Sequence, residues 1–81
     1  MKRERARINI RSGEDAMALV ACLRAQEDSF SIESRNGARR VNAKSLLAVI
    51  CSMFDLLDEM YLVNDTHNGV IPTGVHPFVC A

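Results

Sequence analysis

Asn36-Gly37-Ala38-Arg39-Arg40-Val41-Asn42-Ala43-Lys44-Ser45-Leu46-Leu47-Ala48-Val49 is the stretch whose reading decides the fold. Asn36-Gly37 is a strong hairpin signal, because both residue types tolerate positive φ in a tight turn. Before it, Phe30 and Ile32 point one way while Ser29, Ser31 and Glu33 point the other, as in a half-buried strand over 29–34. Residues 39–42 read as the strand that returns. Ser45 follows, where its hydroxyl can accept the free N–H groups of a helix start. Leu46, Val49, Ile50, Met53 and Phe54 then recur at helical spacing as one apolar stripe.

Working outward, residues 5–11 (Arg-Ala-Arg-Ile-Asn-Ile-Arg) alternate strictly and predict a first strand, with Ala6, Ile8 and Ile10 on one side. Ser12, with Asp15 three positions on, predicts a helix start, and the carboxylates of Glu14 and Asp15 suit its positive end. Ala16, Leu19, Val20 and Leu23 form its stripe, and Arg24, Gln26, Glu27 and Asp28 end it near residue 27. On the other side, 55–58 turns the chain and Glu59-Met60-Tyr61-Leu62-Val63 is a fourth strand. Residues 65–81 hold both prolines and both histidines and no helical period, and are expected to be an irregular tail with a short extended piece over 75–80.

The expectation is therefore one α+β domain over 5–64, a four-stranded antiparallel sheet with two helices on one face. The expected core is Ile8, Ile10, Leu19, Val20, Leu23, Phe30, Ile32, Val41, Leu46, Val49, Ile50, Met53, Met60 and Leu62.

Length and composition agree. Eighty-one residues can bury one core. Hydrophobic residues at 48% with 25% charged are ordinary for a globular chain and exclude a disordered charged tail. Lys+Arg and Asp+Glu both number 10, so no global field draws the chain to nucleic acid or an anionic membrane. The apolar run Ala16–Leu23 is far short of the roughly 20 residues of a membrane span. Glu14 and Asp15 interrupt what a signal peptide would keep apolar, so a cytoplasmic location is expected. The three cysteines (Cys22, Cys51, Cys80) are far apart and unpaired in pattern, which argues against a disulfide framework or a zinc site; Cys22 and Cys51 read as small core residues.

The residues that would carry catalysis do not assemble into a motif. The chain has no Gly-rich phosphate loop, and neither His67 nor His76 stands at metal-ligand spacing on a helix. The pairs Glu14/Asp15, Glu27/Asp28 and Asp58/Glu59 sit at element ends, where solvation or helix-end electrostatics accounts for them. No enzyme, cofactor or metal is expected. Arg35, Arg39, Arg40 and Lys44 are the densest basic cluster, but alternate members of a hairpin face opposite ways, and no aromatics interleave to stack on bases.

The segment Asn36–Val49, within its strand–helix–strand–strand–helix–strand order, resembles HPr, the phosphocarrier of the bacterial sugar phosphotransferase system. Asn36-Gly37, then Val41-Asn42-Ala43-Lys44-Ser45 and an apolar helix, are similar to that family's regulatory-serine motif. The similarity runs without gaps over about 5–64 and is strongest over 36–50. It implies an open-faced sandwich and a regulatory role for Ser45. It also implies a docking surface of Ser45, Lys44 and Leu46, with Arg39 and Arg40 nearby, that meets a serine kinase or a transcriptional co-regulator.

Two departures qualify what the resemblance implies. The family's phosphorylated histidine falls at Glu14, and its arginine and proline fall at Ala16 and Met17, so residues 12–17 hold no histidine. Phosphotransfer through an imidazole is then lost; Glu14 could only mimic the charged state. The third helix of the family has no counterpart in 65–81. The sheet face it would cover is expected to be partly bare and to be covered by a second copy in a homodimer, the alternative being that Val70, Ile71, Val75, Phe78 and Val79 fold back over it. The expected function is an HPr-like, protein-binding regulatory module; the alternatives are a phosphocarrier proper, or an anion-binding scaffold using Arg39, Arg40 and the tail histidines.

Overall fold

Residues 5–55, 59–66 and 69–80 are described by the computed structural model. Their elements run β1 (Arg5–Ile8), α1 (Gly13–Arg24), β2 (Phe30–Glu33), β3 (Arg40–Asn42), α2 (Leu46–Asp55) and β4 (Met60–Asn64), followed by a 3-10 helix over Thr73–Phe78. The fold is α+β. The strands form one antiparallel sheet in the order β1-β4-β2-β3.

Local chemistry makes the turns. Ser34 N donates to Arg39 O across the hairpin mouth, and Gly37 N donates to Ser34 O, both at 2.9 Å. The Asn36 side-chain oxygen accepts from Ser34 Oγ and from Ala38 N at 2.9 Å, and Gly37 takes φ +75°, which a side chain would strain. At the start of α1, Ser12 Oγ accepts from Asp15 N at 3.2 Å while Asp15 reaches back to Arg11 N at 3.0 Å. Ser12 thus satisfies a donor that the helix itself leaves unpaired, and Asp15 ties down the residue before the cap. The helix stops at Arg24, short of the expected residue 27. Gln26 N tightens onto Leu23 O, and the exit is held from outside: Arg24 Nε donates to Lys44 O at 2.9 Å and Lys44 Nζ to Gln26 O at 2.7 Å.

The register gives the sheet two faces. On one, Ala6, Leu62, Ile32 and Val41 lie in a row, beside Ile8 and Met60. Ile8, Met60, Leu62 and Ile32 join Ala16, Leu19, Val20 and Leu23 of α1 and Val49 of α2 in the buried cluster. Ile10 and Phe30 are buried there too, while Val41, Leu46, Ile50 and Met53 pack against it half-buried. The expected core is present; Ala16, Ala43 and Val75 add to it, while Val63 is buried on the other face of the sheet.

Three sequence expectations are corrected. Phe54 is 74% exposed and does not join the α2 stripe. At about 100° per residue it lies on the side of Leu47 and Cys51, away from Val49. Cys51 is exposed for the same reason, and is no core residue. The tail, expected extended over 75–80, instead winds into the 3-10 helix, and only Val79 bridges to Ile8.

That tail covers its own sheet. Val75 is fully buried, and Ile71, Phe78 and Val79 pack on the core, while Val70 stays out at 61% exposure. Phe78 O accepts from Asn9 N and Cys80 N donates to Arg7 O, both at 2.8 Å, along the outer edge of β1. The apolar cover that a second copy was expected to provide on this face is thus provided by the chain. Asn64 anchors the tail's start: fully buried, it donates to Asp28 and to Val70 O and accepts from Thr66 N, at 2.8–2.9 Å.

The opposite face carries the rows Arg5, Val63, Ser31, Asn42 and Arg7, Tyr61, Glu33, Arg40. Two arginines strap it. Arg5 crosses β4 to pair with Glu33 at 3.0 Å, donates to Ser34 O and Arg35 O, and lies 4.1 Å from the Tyr61 ring centroid. Arg40 crosses β2 to pair with Asp65, which also accepts from Ser31 Oγ.

Two substitutions probe these contacts. A Cβ on Gly69 would stand 2.3 Å from the locked Asn64 side chain, so Gly69→Ala is expected to lower stability by about 1–3 kcal/mol in chemical denaturation. Asp65→Ala strands Arg40 and the buried Ser31 hydroxyl, and a loss of about 1–3 kcal/mol is expected in the same assay.

Candidate functional site

The sequence places its sharpest candidate, Ser45, where β3 hands over to α2. Asn42 builds the junction: its side-chain oxygen accepts from Lys44 N at 2.9 Å and its carbonyl from Ser45 N at 3.1 Å. Ser45 is thereby turned so that its Oγ accepts from Ala48 N at 3.3 Å, and its carbonyl begins the helix by accepting from Val49 N at 2.9 Å. It caps α2 and is half-buried, its hydroxyl beside the positive end of an apolar helix whose first turn holds no acidic residue. That arrangement can receive an anion on the hydroxyl next to the first helical N–H groups.

The residues grouped with Ser45 divide. Lys44 is half-buried and engaged, its ammonium bonded to Gln26 O and 5.9 Å from the Phe30 ring centroid, so it ties α2 to the exit of α1. Leu46 is turned inward and packs on the core; the exposed apolar neighbour is Leu47, at 72%. Arg39 and Arg40 are not brought together. Arg39 pairs with Asp55 at the far end of α2 at 2.9 Å, both partners over half exposed, while Arg40 lies across the opposite sheet face. Glu14 stands exposed in the first turn of α1, followed by the fully buried Ala16 and the 59% exposed Met17. His76 is exposed on the 3-10 helix, and His67 lies outside the described residues.

Sequence reasoning passed over the outer stripe of α2. Leu47, Cys51 and Phe54 are all exposed, spaced i, i+4, i+7, and the same periodicity that found the inner stripe could have found them. Elsewhere a hollow of about 580 Å3 between the hairpin and the end of α2 is lined by Ser34, Arg35, Asn36, Asp55 and Glu59. Its carboxylates are held by Arg39 and Arg35. Among the described residues, no three His, Cys, Asp or Glu side chains gather as a metal site would require, and no helix is long and apolar enough to cross a membrane.

No family model, curated protein or solved structure matches this chain.

As a cap, Ser45 makes one replaceable hydrogen bond. Ser45→Ala is expected to cost about 0.5–2 kcal/mol and Ser45→Gly only a few tenths, read as shifts in the denaturation midpoint at unchanged slope.

Proposed function

We propose that this chain is an HPr-like, non-enzymatic protein-binding module, regulated at Ser45 and docking through the start of α2. The observation that carries this is the cap itself. Ser45 presents a hydroxyl to the positive end of α2, within a segment whose residues resemble the family's regulatory-serine motif. The β-α-β-β-α-β order of the described elements and their antiparallel sheet support the same reading.

A phosphoryl group on Ser45 Oγ adds roughly two negative charges beside the unpaired N–H groups of the first turn of α2, where the helix field favours it. The cap bond to Ala48 N is the contact it exchanges. The apolar part of a docking surface falls to Leu47, which is exposed, rather than to Leu46, whose side chain is committed to the core. Glu14 takes the place of a histidine, and a carboxylate cannot serve as the imidazole nucleophile of a phosphocarrier.

Intact-mass measurement after incubation with ATP and an HPr-type serine kinase tests the proposal, beside a parallel reaction with enzyme I and phosphoenolpyruvate. One phosphate is expected from the kinase, absent in Ser45→Ala, and none from phosphoenolpyruvate. Phosphate on a histidine would make the chain a carrier after all. No phosphate in either reaction would reduce Ser45 to a helix cap.

A further inference from the structure

The two most exposed large hydrophobic side chains among the described residues, Leu47 and Phe54, both lie on the outer side of α2. Leu47 is 72% and Phe54 74% exposed, and Cys51 between them is exposed as well. On a helix of 10 residues, about 15 Å long, these three share one side, because about 100° per residue brings 47, 51 and 54 within a narrow sector. Such a stripe on a helix already buried on its inner side is an adhesive surface.

We propose that α2 is a self-association surface, on which two copies of this chain pack antiparallel about a two-fold axis at Cys51, with Leu47 of each against Phe54 of the other. Two features of the stripe favour a second copy as the occupant.

The first is its spacing. Leu47 lies four residues before Cys51 and Phe54 three after it, so turning one helix end for end about Cys51 sets the smaller side chain against the larger ring at both ends. The patch is its own complement, as an isologous interface requires.

The second is charge. Asp55 ends α2, at the negative end of the helix, and its first turn has no acidic residue. Antiparallel packing carries each Asp55, with the Arg39 paired to it, toward the positive end of the other helix and opposes the two helix dipoles; parallel packing would align them. With a formal net charge of zero, the two copies have no long-range repulsion to overcome.

A stripe of this length buries less than the roughly 1,200 Å2 of a stable interface, so the dimer is a weak one, with a Kd of about 10 μM to 1 mM. The inference shares Leu47 with the proposed docking surface but does not use Ser45, and its test uses the unmodified chain alone, so it can fail while regulation at Ser45 stands.

Sedimentation velocity of the full chain from about 10 μM to 1 mM, with copper-phenanthroline oxidation in air, reads both association and geometry. A dimer fraction rising with concentration is expected, together with a covalent dimer joined through Cys51. Leu47→Glu and Phe54→Glu are expected to weaken association at least about tenfold, the carboxylate being desolvated on an apolar face. Both positions are largely solvent-exposed, so unchanged circular dichroism and Tm keep these variants informative. Cys51→Ser should keep the association and lose the covalent dimer. A strict monomer at the highest concentration overturns the proposal and leaves the stripe to a different protein. So does a covalent dimer joined through Cys22 or Cys80, or an association that Leu47→Glu leaves intact.

Discussion

The sheet depends on the insertion of β4 between β1 and β2. Met60 and Leu62 enter the core from it, Tyr61 and Val63 lie under Arg5 on the other face, and Asn64 ends it as a fully buried amide. A buried amide without partners would cost several kcal/mol, so the groups it bonds are fixed with it. Asp28 ties down the approach to β2, Thr66 the turn that leaves β4, and the Val70 carbonyl the start of the tail. One side chain thus joins three segments that the strand ladders do not connect.

Elements governed by neighbouring residues were legible in the sequence. The Asn36-Gly37 turn, the Ser12 and Ser45 caps and the alternation of Phe30 and Ile32 are local chemistry, and the structure has them. What depends on distant contacts was not legible. The exit of α1 is set by Lys44, twenty residues on from Arg24, and no rule of helix termination contains that. The fate of the tail is set by space: Gly74 lies so close to Cys22 that a Cβ would stand 2.7 Å from its sulfur, a contact only the folded molecule reveals. Phe54 was misassigned for a different reason. In a helix apolar nearly all round, periodicity finds two stripes, and only the sheet decides which one is buried.

At the proposed site the division was similar. Ser45 could be singled out from its neighbours in sequence, because capping is a matter of a few residues. The roles of the residues beside it could not. The resemblance puts both Lys44 and Leu46 on a docking surface, yet Lys44 is bonded to Gln26 just past the end of α1, and Leu46 packs on the core, as its place in the apolar stripe implied. Lys44 clamps the start of α2 to the exit of α1, so the residue next to Ser45 is tied to Gln26 and to the Phe30 ring rather than free at the surface.

The pairing of Asn9 and Arg7 with Phe78 and Cys80 has a consequence for the protein at high concentration. A sheet of this order has two open margins, β1 and β3, and an unpaired margin is a template on which another chain can extend a sheet without limit. Here the tail pairs with residues 7–9 at the end of the first, and the second is three residues long and bears Arg40. A chain with no net charge lacks the mutual repulsion that keeps many proteins colloidally stable. The same few residues that complete the core therefore also guard the molecule against fibrous aggregation.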